Sequence, residues 1–233
     1  MTSIELADRL RRTCADASAP RLLEEAAGAF GEGIVASSSF QSQSVPLLHM
    51  IGRVCPSLPV YFLDTGFHFP ETLRFRDELA ERFGLNVVTV RPSMDRPELF
   101  ERVGSPPWKT DPDRCCRINK IDPMESILTG NSAWISGVRA DQTAHRNNME
   151  RITAGDDGLV RIHPLLNWSA RDVWRYVHDH DLPVHPLLGQ GYLSIGCAPC
   201  TRPPSGPGER TGRWSSTTKT ECGLHTELGG TSK

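Results

Sequence analysis

The chain has 233 residues, a formal net charge of −2 and seven cysteines. That length suits one large core, or a main domain with a smaller C-terminal appendage, and the balanced charge excludes bulk attraction to nucleic acid. No apolar run is long enough to span a membrane, Met1-Thr2-Ser3-Ile4-Glu5 lacks basic and apolar signal regions, and the cysteines are too few for a disulfide-dense secreted module, so a soluble cytoplasmic protein is expected.

The first thirty residues read as two helices parted near Ala19-Pro20, with Leu6, Leu10, Leu22 and Leu23 facing inward. Gly33-Ile34-Val35-Ala36 then reads as a buried strand running into the polar loop Ser37–Ser44, and a helix follows through Leu47, Leu48 and Ile51. Pro59–Leu63 is a second strand, closed by Asp64-Thr65-Gly66. Leu73, Leu79, Ala80 and Phe83 recur at helical spacing from Glu71 onward. Asn86–Val90 and Ala133–Gly137 supply two further strands. Ser169 and Asp172 have the spacing of an N-cap with its N3 acid, opening a helix through Val173, Trp174 and Val177 that ends before Pro183 and Pro186. Strands alternating with helices predict an α/β fold with a mostly parallel sheet. Ligands of such sheets sit beyond the carboxyl ends of the strands, which points to the serine loop, the Asp64 loop and the segment after Gly137. Residues 185–233 differ in texture. They are rich in Gly, Pro, Ser and Thr, and too poor in apolar residues to form a core, so docking or a ligand must order them.

Several groups in this frame could carry chemistry. The Ser37–Ser44 loop lies between a strand and a helix, where hydroxyl and amide donors suit a phosphate. It lacks the glycine and lysine pattern of a P-loop, and a plain solvent turn is the competing reading. Asp64 could touch a nucleotide base or ribose, or simply cap its turn, and His68 holds that loop. Basic residues gather at Arg114, Arg117 and Lys120, at Arg139 and Arg146, and at Arg202, Arg210 and Arg213. Guanidinium forks suit phosphate and sulfate oxygens, although scattered arginines usually form a solvated surface. Cys115-Cys116 and Cys197-Ala198-Pro199-Cys200 can converge on a soft metal, either structural zinc or an iron–sulfur cluster. An adjacent pair is awkward for one zinc ion and easier for a cubane with several irons, which favours a [4Fe-4S] cluster. A buried pair or a disulfide is the remaining alternative. Cys222, alone in Glu221-Cys222-Gly223-Leu224-His225 and near basic residues, is a candidate nucleophile or an incidental surface thiol. Cys14 and Cys55 read as small buried hydrophobes.

Taken together, these motifs resemble the assimilatory sulfonucleotide reductases, and specifically their iron–sulfur adenylylsulfate reductase branch. The resemblance runs from the serine loop through Leu63-Asp64-Thr65-Gly66, Cys115-Cys116, Gly137-Val138-Arg139 and Cys197-x-x-Cys200. It continues into Gly208-Glu209-Arg210-Thr211-Gly212-Arg213-Trp214 and Glu221-Cys222-Gly223-Leu224-His225, so it covers most of the chain. It implies a three-layer Rossmann-like fold of the adenine nucleotide alpha-hydrolase type, a relative of PP-loop enzymes. Residues 1–184 would form the nucleotide-binding domain, and 185–233 a cluster-binding segment with a mobile catalytic tail. One [4Fe-4S] cluster on Cys115, Cys116, Cys197 and Cys200 is implied, with a role in structure and local field rather than in electron supply. The implied reaction is thioredoxin-dependent reduction of adenosine 5'-phosphosulfate to sulfite and AMP through an S-sulfocysteine on Cys222, within sulfate assimilation and cysteine biosynthesis. Lys120, Arg146, Arg210 and Arg213 would contact the phosphosulfate, with Arg139 a further basic candidate. His225 would orient the tail or a sulfate oxygen, Ser37 and Ser39 would face phosphate or ribose, and Asp64 would serve the nucleoside. Competing readings are a 3'-phosphoadenosine 5'-phosphosulfate reductase and a non-catalytic, zinc-stabilised nucleotide-binding protein. Neither nucleic acid nor membrane is an expected partner, and a homo-oligomer is possible.

Overall fold

Ile34–Ser37 (β1), Pro59–Leu63 (β2), Asn86–Val90 (β3), Ala133–Ser136 (β4), Ile152–Ala154 (β5) and Val160–Ile162 (β6) form one sheet in the order β3-β2-β1-β4-β6-β5. Five of these strands run parallel and β5 pairs antiparallel with β6. The computed structural model describes residues 1–229 other than Pro207, Ser216 and Thr218; the end of the expected C-terminal segment, 230–233, lies outside the described residues. The helices are Ser3–Thr13 (α1), Ala19–Phe30 (α2), Val45–Val54 (α3), Pro70–Phe83 (α4), Arg96–Val103 (α5), Pro107–Thr110 (α6), Pro112–Cys116 (α7), Asp122–Leu128 (α8), Ala170–Asp179 (α9) and Leu224–Glu227 (α10). The expected mostly parallel α/β architecture is therefore the fold of this chain.

Strand alternation decides what lies on each face. Ile34, Ala36, Ala133, Ile135, Val160 and Ile162 enter the larger core, with Leu10, Leu22, Leu23, Leu48 and Ile51 from α1, α2 and α3. Val35 and Trp134, one residue out of phase, enter a second core with Ile121, Met124, Leu128 and, from the chain's end, Leu228. Both faces are covered, which explains why the parallel strands read as apolar runs rather than as alternating ones. Of the four predicted inward leucines, Leu10, Leu22 and Leu23 are fully buried and Leu6 is half-buried.

The helix ends follow local chemistry. Ser169 accepts from the Asp172 amide while Asp172 accepts from the Ser169 amide, closing the capping box expected there. Ser18 caps α2, and Pro20 sits in its first turn. Sequence reading missed the β5–β6 hairpin, although Gly155-Asp156-Asp157-Gly158 is the turn signal between its two short arms. Arg161 interrupts the apolar run of β6. It is buried on the second face, donates to the Leu228 carbonyl at 2.5 Å, and pairs with Asp157.

Two buried histidines make stability depend on pH. His185 accepts from the Leu187 amide through Nδ1 at 3.2 Å and bonds Thr72 through Nε2 at 3.0 Å, while His163 Nδ1 lies 2.9 Å from the Ser136 hydroxyl. Burial pushes His185 down to about 4 and His163, with Arg146 and Arg161 also opposing its charge, down to about 3. Both are neutral in the fold, whereas the unfolded chain binds their protons near pH 6.5. Stability is accordingly full above that value. It is expected to fall as pH drops from 6.5 towards 4, by about 1.4 kcal/mol per unit for each histidine. Denaturant titrations at pH 7.5 and pH 5 check this; equal midpoints would overturn it.

Candidate active site

The strand order reverses direction between β1 and β4, and the two end in register, with Ser37 opposite Ser136. Such a switch point leaves a crevice beyond the carboxyl ends. A cavity of about 1000 Å³, including its open mouth, occupies that position. Its floor is Ser37, Ser38, Ser39, Ser136 and Gly137. The basic and thiol groups on its walls are His68, Lys120, Arg146, Arg210, Arg213, Cys222 and His225.

The serine loop has two jobs. Phe40, buried at its turn, has a φ of 51°, and the Ser38 hydroxyl accepts from the Phe40 amide at 3.1 Å. This left-handed turn on a non-glycine residue turns the loop back over the strand ends. Ser42 accepts from the His185 amide and Gln41 from the Ile195 amide, so the second half of the loop anchors the later chain. Ser37 and Ser39 keep to the cavity, Ser37 accepting from the Trp134 indole at 2.9 Å.

Cys222 is half-buried and borders the cavity. Burial pushes its thiol up, but Lys120, the Leu224 amide and Arg146 outweigh burial and Glu221, leaving it below the ordinary thiol value. Lys120 sits on a single π-helical turn, Arg117–Ile121, that follows the two cysteines of α7. Burial opposes its charge, yet the sulfurs of Cys197, Cys222 and Cys116 hold the ammonium well above its usual range. Cys222 and Lys120 thus border the same cavity, with the cation favouring the thiolate over the thiol.

Around this pair, four buried nitrogens have no hydrogen-bond partner among the described residues: Arg210 Nε, Arg213 Nε, Trp214 Nε1 and His225 Nδ1. All four residues line the cavity. Unmade bonds to buried polar groups are costly, and their concentration on residues that line one cavity points to a polar or anionic ligand there. Trp214 is itself buried at a φ of 48°, with the Arg213 guanidinium 4.4 Å over its ring. His225 stacks on Trp134 at 5.0 Å and 8°, and burial near Arg146 keeps it neutral.

Not every predicted residue reaches the cavity. Asp64 does not line it, since it accepts from the Gly66 amide at 3.0 Å and from Arg91 at 3.2 Å, a turn-capping arrangement. Arg139 is also absent from the walls; its guanidinium is taken up by Gln43, Asp141 and Glu209. Lys120, Arg146, Arg210, Arg213, Ser37, Ser39, His225 and Cys222 are brought together. Sequence reading missed Gln43, Trp214 and Glu221. Gln43 sits in the serine loop, and Trp214 and Glu221 stand inside the motifs already singled out, so proximity to those motifs was the available signal.

Cys115, Cys116, Cys197 and Cys200 line a smaller neighbouring cavity of about 390 Å³, with Thr65, Phe67 and Trp108. The expectation of a [4Fe-4S] cluster, and with it the iron–sulfur branch and any metal-binding character, is corrected here. Among the described residues, no group of three or more His, Cys, Asp or Glu side chains is arranged to hold a metal ion. Burial and neighbouring sulfurs push the Cys115 thiol up to about 12, and burial pushes Cys116 up to about 11 against the opposing Lys120. Thr65 lies 3.2 Å from the Cys197 sulfur, and the Asn119 amide donates to the Cys115 carbonyl at 2.8 Å. The zinc alternative falls with the same finding. All seven cysteines are free.

Gly196 offers a direct test of the anion wall. A Cβ there would come within 2.3 Å of Arg213 Nη2, so the guanidinium must move while the backbone need not. Gly196→Ala is expected to weaken anion binding about tenfold, the loss of one charge-assisted bond, with little change in melting temperature. Calorimetry with inorganic phosphate and sulfate checks it; unchanged affinity would remove Arg213 from the binding wall.

Residues 33–203 match the model of the phosphoadenosine phosphosulfate reductase domain. An adenosine 5'-phosphosulfate reductase of Streptomyces coelicolor is 41% identical over 223 residues, covering 94% of this chain and 93% of that protein. One of Salinibacter ruber is 38% identical, covering 88% and 82% respectively. Among solved structures, a phosphoadenylyl-sulfate reductase of Candida auris in a phosphate complex superposes with a TM-score of 0.71 at 25% identity, covering 84% of this chain and 96% of that one. An FMN adenylyltransferase of Candida glabrata superposes at 0.60 with 16% identity, covering 88% and 68%, a likeness of fold alone.

Proposed function

Because this chain belongs to the phosphoadenosine phosphosulfate reductase domain family, we propose that it reduces adenosine 5'-phosphosulfate to sulfite and AMP, with a thioredoxin-like dithiol as reductant. The observation that carries this reading is Cys222 on one cavity with Lys120, Arg146, Arg210, Arg213 and the serine loop, where Lys120 lowers the thiol and four lining residues carry unpartnered buried nitrogens.

The chemistry is two displacements at sulfur. The Cys222 thiolate attacks the sulfate sulfur, the sulfur–oxygen bond to the phosphate breaks, and AMP leaves with that electron pair. Cys222 then carries a sulfonate. A thiolate of the dithiol attacks Cys222 Sγ, the new sulfur–sulfur bond breaks, and sulfite leaves with its electrons. The second thiol of the partner resolves the mixed disulfide and returns Cys222 as a thiol. Two electrons pass from the dithiol to sulfur and the partner ends as a disulfide, so the balance closes on the named reactants.

Each residue has a physical task. Lys120 favours the Cys222 thiolate, and Arg146, Arg210 and Arg213 offset the charges of phosphate and sulfate where AMP departs. Ser37 and Ser39 face the nucleotide phosphate or ribose, and neutral His225 offers its unpartnered ring nitrogen to an oxygen. Asp64 and Arg139 act by holding their loops. No helix among the described residues is long and apolar enough to cross a membrane. Free cysteines throughout agree with a reducing compartment such as the cytoplasm.

The test compares kcat/KM for adenosine 5'-phosphosulfate and its 3'-phosphorylated analogue, reading sulfite release with reduced thioredoxin. At least tenfold preference for the former is expected. Preference for the latter would move the chain to the other substrate, and no sulfite from either would reject the reading.

A further inference from the structure

The glutamates Glu209 and Glu221 lie behind the cavity rather than on its walls. Glu209 accepts from Arg139 Nη2 at 3.2 Å and from Gln43 Nε2 at 2.6 Å. Glu221 takes Arg146 in a fork, Nε at 2.7 Å and Nη2 at 2.8 Å, and also accepts from Thr143 at 2.8 Å and Arg210 at 3.3 Å. The two arginine side chains are only 2% and 8% exposed, so each needs a counter-charge in place. Arg139 has a second one in Asp141, whereas Arg146 has Glu221 as its one carboxylate partner among the described residues.

Between these two glutamates the chain carries Arg210, Arg213 and Trp214 to the cavity, and immediately after the second comes Cys222. We propose that Glu209 and Glu221 are positioning residues, a two-point clasp that joins segment 209–221 to Arg139 and Arg146. The cationic wall is then assembled only while the nucleophile-bearing segment is docked. Glu221 is the stronger point because one carboxylate gathers an arginine from the body and another from the segment itself. Anion binding and nucleophile placement therefore rise and fall together, and Arg139, which does not line the cavity, receives a function through Glu209.

The kinetic arm of the test rests on the reaction proposed above; the proteolytic arm does not. In the full chain, trypsin cleavage after Arg210, Arg213 and Lys219 is followed by mass spectrometry without substrate. Glu221→Ala is expected to accelerate it about tenfold, with smaller increases for Glu221→Gln, which keeps an acceptor oxygen, and for Glu209→Gln, which leaves Asp141 on Arg139. In turnover assays Glu221→Ala raises KM about tenfold and lowers kcat, Glu221→Gln recovers part of both, and the heat-unfolding midpoint shifts by no more than a few degrees. Unchanged cleavage and KM would overturn the clasp. So would faster cleavage accompanied by an equal loss at distant sites, since that reports general unfolding. A wild-type chain that turned over neither sulfonucleotide would reject the proposed reaction, and the cleavage rates would still decide the clasp.

Discussion

Cys222→Ser is expected to stop sulfite release, with a loss of about four orders of magnitude or more, and to leave no sulfonate on the protein after incubation with substrate alone. Removing a nucleophile that acts as a unit with its activating group generally costs this much. A serine hydroxyl beside Lys120 stays protonated at neutral pH, so the cation that favours the thiolate gives no comparable help. AMP binding should change little, because the arginines and the serine loop are untouched. Intact-mass measurement of the S-sulfonate adduct separates this from a binding defect. Wild-type levels of adduct in the serine variant would assign the chemistry to another thiol.

Lys120→Met should have the second largest effect. The ammonium is the first of the groups that hold the Cys222 thiol down against burial, and it also lines the anion cavity. Its removal withdraws both thiolate stabilisation and a charge facing the departing phosphate, a loss of about a hundredfold to a thousandfold in turnover. The sign of the pH effect follows from the same cause. The active form is deprotonated, so the rate of adduct formation rises with pH through the Cys222 midpoint, which lies below the ordinary thiol value. Without Lys120 burial prevails, and the midpoint moves to higher pH. Part of the lost rate should therefore return in alkaline buffer. A parallel drop at every pH would show that Lys120 acts on binding alone.

How far these features could be read in advance depended on whether their physics was local. Pro59–Leu63 and Asn86–Val90 were placed residue for residue, because continuous apolar and β-branched runs between turn signals have few other uses in an alternating chain. The Ser169–Asp172 box was equally legible, being a contact over three residues. The β5–β6 hairpin was hidden by its length, three residues an arm, and by a charged residue at the centre of β6. Arg161 faces inward with partners both local, Asp157 and the Leu159 carbonyl, and distant, the Leu228 carbonyl.

The candidate site divides along the same line. Cys222 and its basic neighbours announced themselves by residue type and setting. Arg139 did not, because nothing in Gly137-Val138-Arg139 tells whether a guanidinium faces ligand or protein. Its partners, Gln43 and Glu209, are distant in sequence. The cysteine quartet shows the reverse error. Paired spacing suggested ligands, whereas a donor set for metal depends on how side chains from α7 and the Cys197–Cys200 turn are aimed, a matter of tertiary geometry.

The stretch around Cys222 is held on both sides, by Glu221 before it and by Leu228, buried in the second core with its carbonyl on Arg161, after it. A thiol fixed at two points is well aimed at a bound nucleotide but poorly presented to a bulky protein reductant. The two half-reactions therefore make opposite demands on the same few contacts. Tighter docking speeds sulfonate capture and slows its discharge, and looser docking does the reverse. In the proposed reaction, the strength of that docking thus sets the balance between the two half-reactions.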